Sequence, residues 1–250
     1  MLPVNCSYQG KKESAAGRRY RTNIQPQSGS SFTAGQTITI NIPTRANTLL
    51  IPSESTLNFN TTVTSTANQL RMESCGAHAF IQRIRVYHGS NLLEDIDAYG
   101  VLAKVLMDYV APEDMIHGKG TILMGTRAGY WITGATVGTD TEALPVNSGA
   151  ILTTAQTATF NLNLISILGS LSATKYLPLF AMTAAPLRLE IQLVANASMA
   201  ILATSAAVTA WTVDSVEYVG EFLELSDSAI ATIMSGSQSP LQYVLTSCRN

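Results

Sequence analysis

Residues Arg83 to Tyr109 read RIRVYHGSNLLEDIDAYGVLAKVLMDY, and two different periods meet inside them. Up to Ile96 the stretch reads as two strands, Phe80 to Tyr87 and Asn91 to Ile96, broken by the turn at Gly89. Arg83 and Arg85 share one face of the first strand with Tyr87. From Asp97 onward the apolar positions become Leu102, Val105, Leu106, Tyr109 and Val110, spaced by three and four, until Pro112 stops them. A strand therefore hands over to a helix. Asp97 is the expected N-cap, and Ile96 with Val101 is the expected hydrophobic staple.

Three acids, Glu94, Asp95 and Asp97, crowd this junction. Asp95 and Asp97 lie two apart, so on a strand they face the same way. With Glu94 or a carbonyl they could hold a hard cation such as calcium. Against that reading, Leu92, Leu93 and Ile96 interrupt the oxygen ligands, and an acid at a helix N-terminus is favoured by the helix dipole. Capping is the expectation, with metal binding and carboxylate catalysis as the alternatives.

The alternation of the first strand recurs along the chain. TITINI (Thr37–Ile42) sets Ile38, Ile40 and Ile42 on one face, and TLNFNTTVT (Thr56–Thr64) does so with Leu57, Phe59 and Val63. TATFNLNL (Thr157–Leu164) and PLRLEIQLV (Pro186–Val194) follow the same rule. Further strands are expected at Tyr176–Met182 and Trp211–Leu225. In the latter, Trp211 and Val213 differ in parity from Val216, Tyr218 and Phe222, which predicts a bulge near Ser215. A second helix follows, with Ser226 as cap, Leu225 and Ile230 as staple and Gly236 as stop. The expected fold is all-β, an antiparallel jelly-roll β-sandwich with short inserted helices. Ala111 to Gln156 is too long for a compact connection and reads as a surface loop, in which Tyr130 and Trp131 could anchor the loop or stack on a sugar.

Charged residues make up 13% of the 250, about half the usual share, so much of the surface is neutral. No Asp, Glu, Lys or Arg occurs between Glu142 and Lys175 or between Glu190 and Asp214. Faces of Thr, Ser and Asn strand few charges when buried, which suits protein contacts. The second gap is long enough to cross a bilayer, but its Gln, Asn, Ser and Thr content favours a strand and a neutral loop.

Basic residues gather at the start. Residues 1–22 hold Lys11, Lys12, Arg18, Arg19 and Arg21 against Glu13, while the remainder has ten bases and sixteen acids. Residues 1–35 are accordingly expected to be a basic arm, 36–225 the barrel with its 111–156 loop, and 226–250 a linker helix followed by a second barrel's first strand or a C-terminal arm. Three scattered cysteines make no disulfide framework. Cys75 and His78 have C-x-x-H spacing, but two ligands do not make a zinc site. No HExxH, G-x-S-x-G, Walker or dinucleotide motif occurs, so no enzyme activity and no cofactor is expected.

FIQRIRVYHGSNLLEDIDAYGVLAKVLMDY from Phe80, LPLFAMTAAPLRLEIQL from Leu177 and WTVDSVEYVGEFLELSDSAIATIMSG from Trp211 together resemble, in order and spacing, the first barrel of double jelly-roll viral major capsid proteins. The resemblance spans about residues 36 to 236. It implies a structural protein of the virion that self-assembles, as homotrimers, into an icosahedral capsid shell, beside minor capsid or penton proteins. The basic arm would then lie inside, against an internal membrane or the genome. A carbohydrate- or receptor-binding β-sandwich is the alternative from another class.

Overall fold

The computed structural model describes residues 17–65, 69–73, 75–110, 120–125, 151–153, 157–172, 175–196, 201–202, 208–236 and 247. Its strands are β1 (Gly17–Ile24), β2 (Ser31–Thr33), β3 (Thr37–Ile42), β4 (Thr48–Leu50), β5 (Thr56–Ser65), β6 (Gln69–Met72), β7 (Ile81–His88), β8 (Asn91–Ile96), β9 (Ile151–Thr153), β10 (Thr157–Leu162), β11 (Leu187–Leu193), β12 (Ile201–Leu202) and β13 (Val208–Leu225). Helix α1 (Tyr99–Tyr109) and the single turn α2 (Gly120–Leu123) fall between β8 and β9, and α3 (Asp227–Gly236) follows β13.

Two antiparallel sheets form a sandwich. One has the order β1-β13-β5-β10, with β2 and β4 also paired to β13; the other has the order β3-β11-β7-β8. The first long strand pairs with the last, β3 with β11, β5 with β10 and β7 with β8. That nesting is a hairpin folded over and rolled up, the jelly-roll topology. A third, small sheet, β12-β6-β9, lies apart from these two.

Strand alternation delivers the core. Ile38, Ile40 and Ile42 meet Leu187, Leu189 and Ile191 across the β3–β11 pair, and all six are buried. From the opposite sheet come Leu57, Phe59, Val63, Trp211, Val213 and Tyr218. Each such side chain contributes roughly 1.5–3 kcal/mol of apolar burial. Phe80 packs against Trp211 with ring centres 5.2 Å apart, which ties the two sheets together. The bulge expected in the last strand is present: the register with β5 shifts between Asp214 and Glu217, and Ser215 takes a φ of 52°. One extra residue lets Val213 and Val216 both face inward.

Four expectations need correction. Residues 17–35 are not an arm, because β1 and β2 lie in the sheet against β13. The segment 176–182 is not a strand: Leu177 makes one bridge to Leu50, and Leu179–Ala181 is a short 3-10 turn. Pro178 has no N–H for a ladder. Helix α1 buries Tyr99, Ala103 and Met107 rather than the Val105 and Tyr109 side, which remain 48% and 85% exposed. The Ile96–Val101 staple is also absent, for Ile96 is buried while Val101 is 60% exposed. Gly100 and Ala103 allow the close approach that decides this face, since a Cβ at position 100 would already lie 3.4 Å from Ala79 Cα and from Ile81 O.

Candidate functional site

At the β7–β8–α1 corner the three acids diverge. Glu94 shares parity with Ile96 and points into the core with no exposed surface. Its carboxylate accepts hydrogen bonds from the Ser166 hydroxyl and, at 3.0 Å, from the Ile167 backbone N–H. Asp95 points outward and takes both Nε and a terminal nitrogen of Arg83, at 2.8 and 2.7 Å. These hydrogen bonds hold the Asp95 carboxyl below its ordinary value. Asp97 is exposed and accepts the Ala98 N–H at 3.0 Å. The residue at the helix cap is Ala98, in the left-handed region at φ 51°, and no side chain caps the helix. Asp97 is therefore not the N-cap, because the helix begins one residue later than its spacing implied.

Behind the corner, Tyr99 joins three segments. Its hydroxyl accepts the Ile165 N–H at 3.0 Å and meets His78 Nδ1 at 2.9 Å. With its oxygen accepting from Ile165, the phenol is best placed to donate to Nδ1. His78 then carries its proton on Nε2, an atom that is buried with no hydrogen-bond partner. Burial pushes the His78 pKa down to about 4 and the Tyr99 phenol up. Tyr218 donates to Leu168 O at 3.0 Å. Glu94, Tyr99 and Tyr218 thus pin the 164–170 turn from three elements, a structural use of polar groups.

Metal and nucleophilic chemistry find no constellation there. Among the described residues no three His, Cys, Asp or Glu side chains gather as metal ligands. Cys75 lies 3.7 Å from Gly100 O, and burial pushes its thiol up to about 12, so it is held as an inert thiol. It lines an apolar cavity of about 210 Å³ with Ala79, Ile81, Val101 and Val194, at whose edge Lys104 meets Glu73. Among the described residues no helix is long and apolar enough to cross a membrane.

The basic residues of the N-terminal segment are partly accounted for. Arg19 and Arg21, the latter at 3.0 Å, both bind Glu221; Arg19 also reaches Glu54, and Arg18 lies 4.0 Å from Glu224. Burial alone would push the Glu221 carboxyl up, but the two guanidinium groups outweigh it and hold it low. Nothing in the sequence marked Glu221 or Glu54 as their partners, because pairing across about 200 residues in the one case and 35 in the other has no local signal. Lys11, Lys12, Tyr130 and Trp131 lie outside the described residues, as do most of the 111–156 loop and of 237–250. At the second helix, Ser226 Oγ accepts the Ala229 N–H at 3.3 Å.

The sandwich has two contrasting outer faces. On the β3-β11-β7-β8 sheet, Arg83–Asp95, Arg85–Glu190 and Arg188–Glu190 form an ionic lattice, with the Arg188 guanidinium 4.5 Å above the Tyr87 ring. On β5 and β10 the outward residues are Asn and Thr. Thr62 and Thr157 hydroxyls meet at 3.1 Å, and Thr159 donates to Asn60 at 2.9 Å.

With topology, core and faces in place, the chain is an eight-stranded jelly-roll sandwich with two short strands added alongside β13 and a helical insertion, α1 and α2, between its fifth strand, β8, and its sixth, β10. Its fold is that of one barrel of the double jelly-roll major capsid proteins, in line with the resemblance read from the sequence. The virus capsid of PBCV-1 matches over 95% of this chain at a TM-score of 0.62 and 12% identity. The Faustovirus major capsid protein matches over 94% at 0.56 and 11%, and the Sputnik virophage structure over 89% at 0.52 and 11%. The chain spans 49%, 58% and 50% of those three chains, about half the length of each. No family model and no curated protein matches the sequence.

Proposed function

We propose that this chain is a non-enzymatic structural protein of a virion, a jelly-roll major capsid protein whose activity is self-assembly, as trimers, into an icosahedral shell. The observation that carries the reading is the complete jelly-roll nesting, superposable over 95% of the chain on a virus capsid subunit. The polar groups at the β7–β8–α1 corner support it from another side, since Glu94 and Tyr99 are engaged in holding the 164–170 turn. On this reading α3 and the residues after it lead to a second barrel, in keeping with neighbours about twice as long. Lys11 and Lys12 precede the first strand and would face a membrane or genome, and minor capsid or penton proteins would meet the shell's edges.

The test is assembly. Purified protein examined by analytical ultracentrifugation and electron microscopy should form trimers or shells as concentration rises. A strict monomer at high concentration, together with no trimer in particles from the source, would overturn the proposal.

A further inference from the structure

We infer that the outward Asn/Thr face of β5 and β10 is a subunit contact, and that its occupant is a second copy of this chain. The inference deepens the coat-protein reading and rests on it.

The two outer faces would cost very different amounts to dehydrate. Burying the β3-β11-β7-β8 face would take Arg83, Asp95, Arg85, Glu190 and Arg188 out of water together, and each ion carries a large desolvation penalty. β5 and β10 carry no charged residue on this face; the charges that border it are Asp214 and Glu217 on β13, the cross-strand neighbours of Asn60 and Asn58. Asn58, Asn60, Thr62, Thr157, Thr159 and Asn161 are its outward residues, set as cross-strand partners. Its side chains already satisfy one another, Thr62 with Thr157 and Thr159 with Asn60. What they offer a partner is threonine methyl surface and spare amide and hydroxyl valences, at little loss of hydration.

The same neutrality selects the occupant. An anionic partner, whether nucleic acid, an anionic membrane or an acidic peptide, would find no base on β5 or β10 and would meet the carboxylates of Asp214 and Glu217 along their border with β13. The partner must itself be an uncharged polar β surface. The face of that kind established by these residues belongs to another copy of the chain. Two strands of ten and six residues offer only on the order of 400 Å² a side, about half a standard interface. One contact is therefore weak alone and is strengthened when several act together in a closed shell.

Charge insertion tests the assignment. Thr157→Lys and Thr159→Lys place a cation on the neutral face, on the strand farthest from Asp214 and Glu217, and Gln192→Glu places an anion on the ionic one. Sedimentation velocity over a concentration series is the readout, with circular dichroism and thermal melting confirming the fold. The first two variants should weaken self-association at least tenfold while Gln192→Glu associates as the wild type. Should the wild type assemble and both lysine variants assemble equally well, the face is misassigned and the coat reading stands. A wild type that never assembles overturns both. In case a variant misfolds, hydroxyl-radical footprinting of wild type carries the test alone: 58–62 and 157–161 should become protected on association. Protection that instead follows addition of anionic vesicles or nucleic acid to the monomer would overturn the inference.

Discussion

Glu221 is 6% exposed, and two arginines from a strand 200 residues away hold it. Its folded pKa lies below the ordinary 4.5, so its contribution to stability is complete above that value and is lost as pH falls through the folded pKa. Glu221→Gln should cost about 1–2 kcal/mol at pH 7. Urea unfolding should show the gap between variant and wild type closing as pH drops below about 4. His78 has the opposite chemistry and the same sign. Its folded pKa of about 4 lies below the ordinary 6.5, so protons bind the unfolded chain first as the solution is acidified. Stability then falls from about pH 6.5 downward and levels off near 4, a loss on the order of 3 kcal/mol. His78→Leu should flatten the pH dependence between 7 and 5, a slope that Glu221 does not touch. If stability in that window is unchanged by the substitution, the buried neutral imidazole is not its source.

Helix α1 separates what a sequence announces from what it withholds. Three-and-four spacing fixed its existence, yet three overlapping rows satisfy that spacing: Val101/Val105/Tyr109, Leu102/Leu106 and Tyr99/Ala103/Met107. The row that is buried contains an alanine, and it wins because small side chains permit close packing against the 76–81 segment. Hydrophobicity alone ranks the rows in the wrong order. The acids of the corner were legible in part: Glu94 shares parity with Ile96, which is the signal that it turns inward, whereas its partners at 166 and 167 lie more than seventy residues away. β1 left almost no trace, since six of its eight residues are exposed and only Tyr20 and Ile24 reach the core. β3, β5, β10 and β11, each with one wet face and one dry face, were read almost to the residue. Because the helix cap is Ala98 in the left-handed region, Ala98→Gly should stabilise the protein by about 0.5–1 kcal/mol. Asp97→Ala and Asp97→Asn should both lie within about 0.5 kcal/mol of wild type, as for other exposed positions. Thermal melts of the three variants check this, and a loss of about 1 kcal/mol in Asp97→Ala alone would restore the capping role to Asp97.

A jelly roll joins its first long strand to its last, so the molecule closes only when Gly17–Ile24 meets Tyr218–Leu225. Such pairing has the greatest sequence separation available, and loop closure must precede any gain from it. The strand that closes the sheet is held by ladder hydrogen bonds, by Tyr20 stacked on Phe222 at 5.5 Å, and by the Arg19 and Arg21 pairs with Glu221. Little of that is apolar burial, so the strand's contribution is largely polar and depends on its register. Two truncations separate this picture from a free arm. Removing residues 1–16 leaves β1 intact and serves as the reference. Removing residues 1–24 strips one edge of β13 and leaves the buried Glu221 carboxylate without either arginine. That loss should amount to about 3–5 kcal/mol, the cost of breaking a buried pair by deleting one side. Adding Glu221→Gln to the longer truncation should recover part of the loss, because it removes the stranded charge. Urea unfolding of the three proteins measures all of this, and equal stability of the two truncations would mean that the strand adds nothing to the folded barrel.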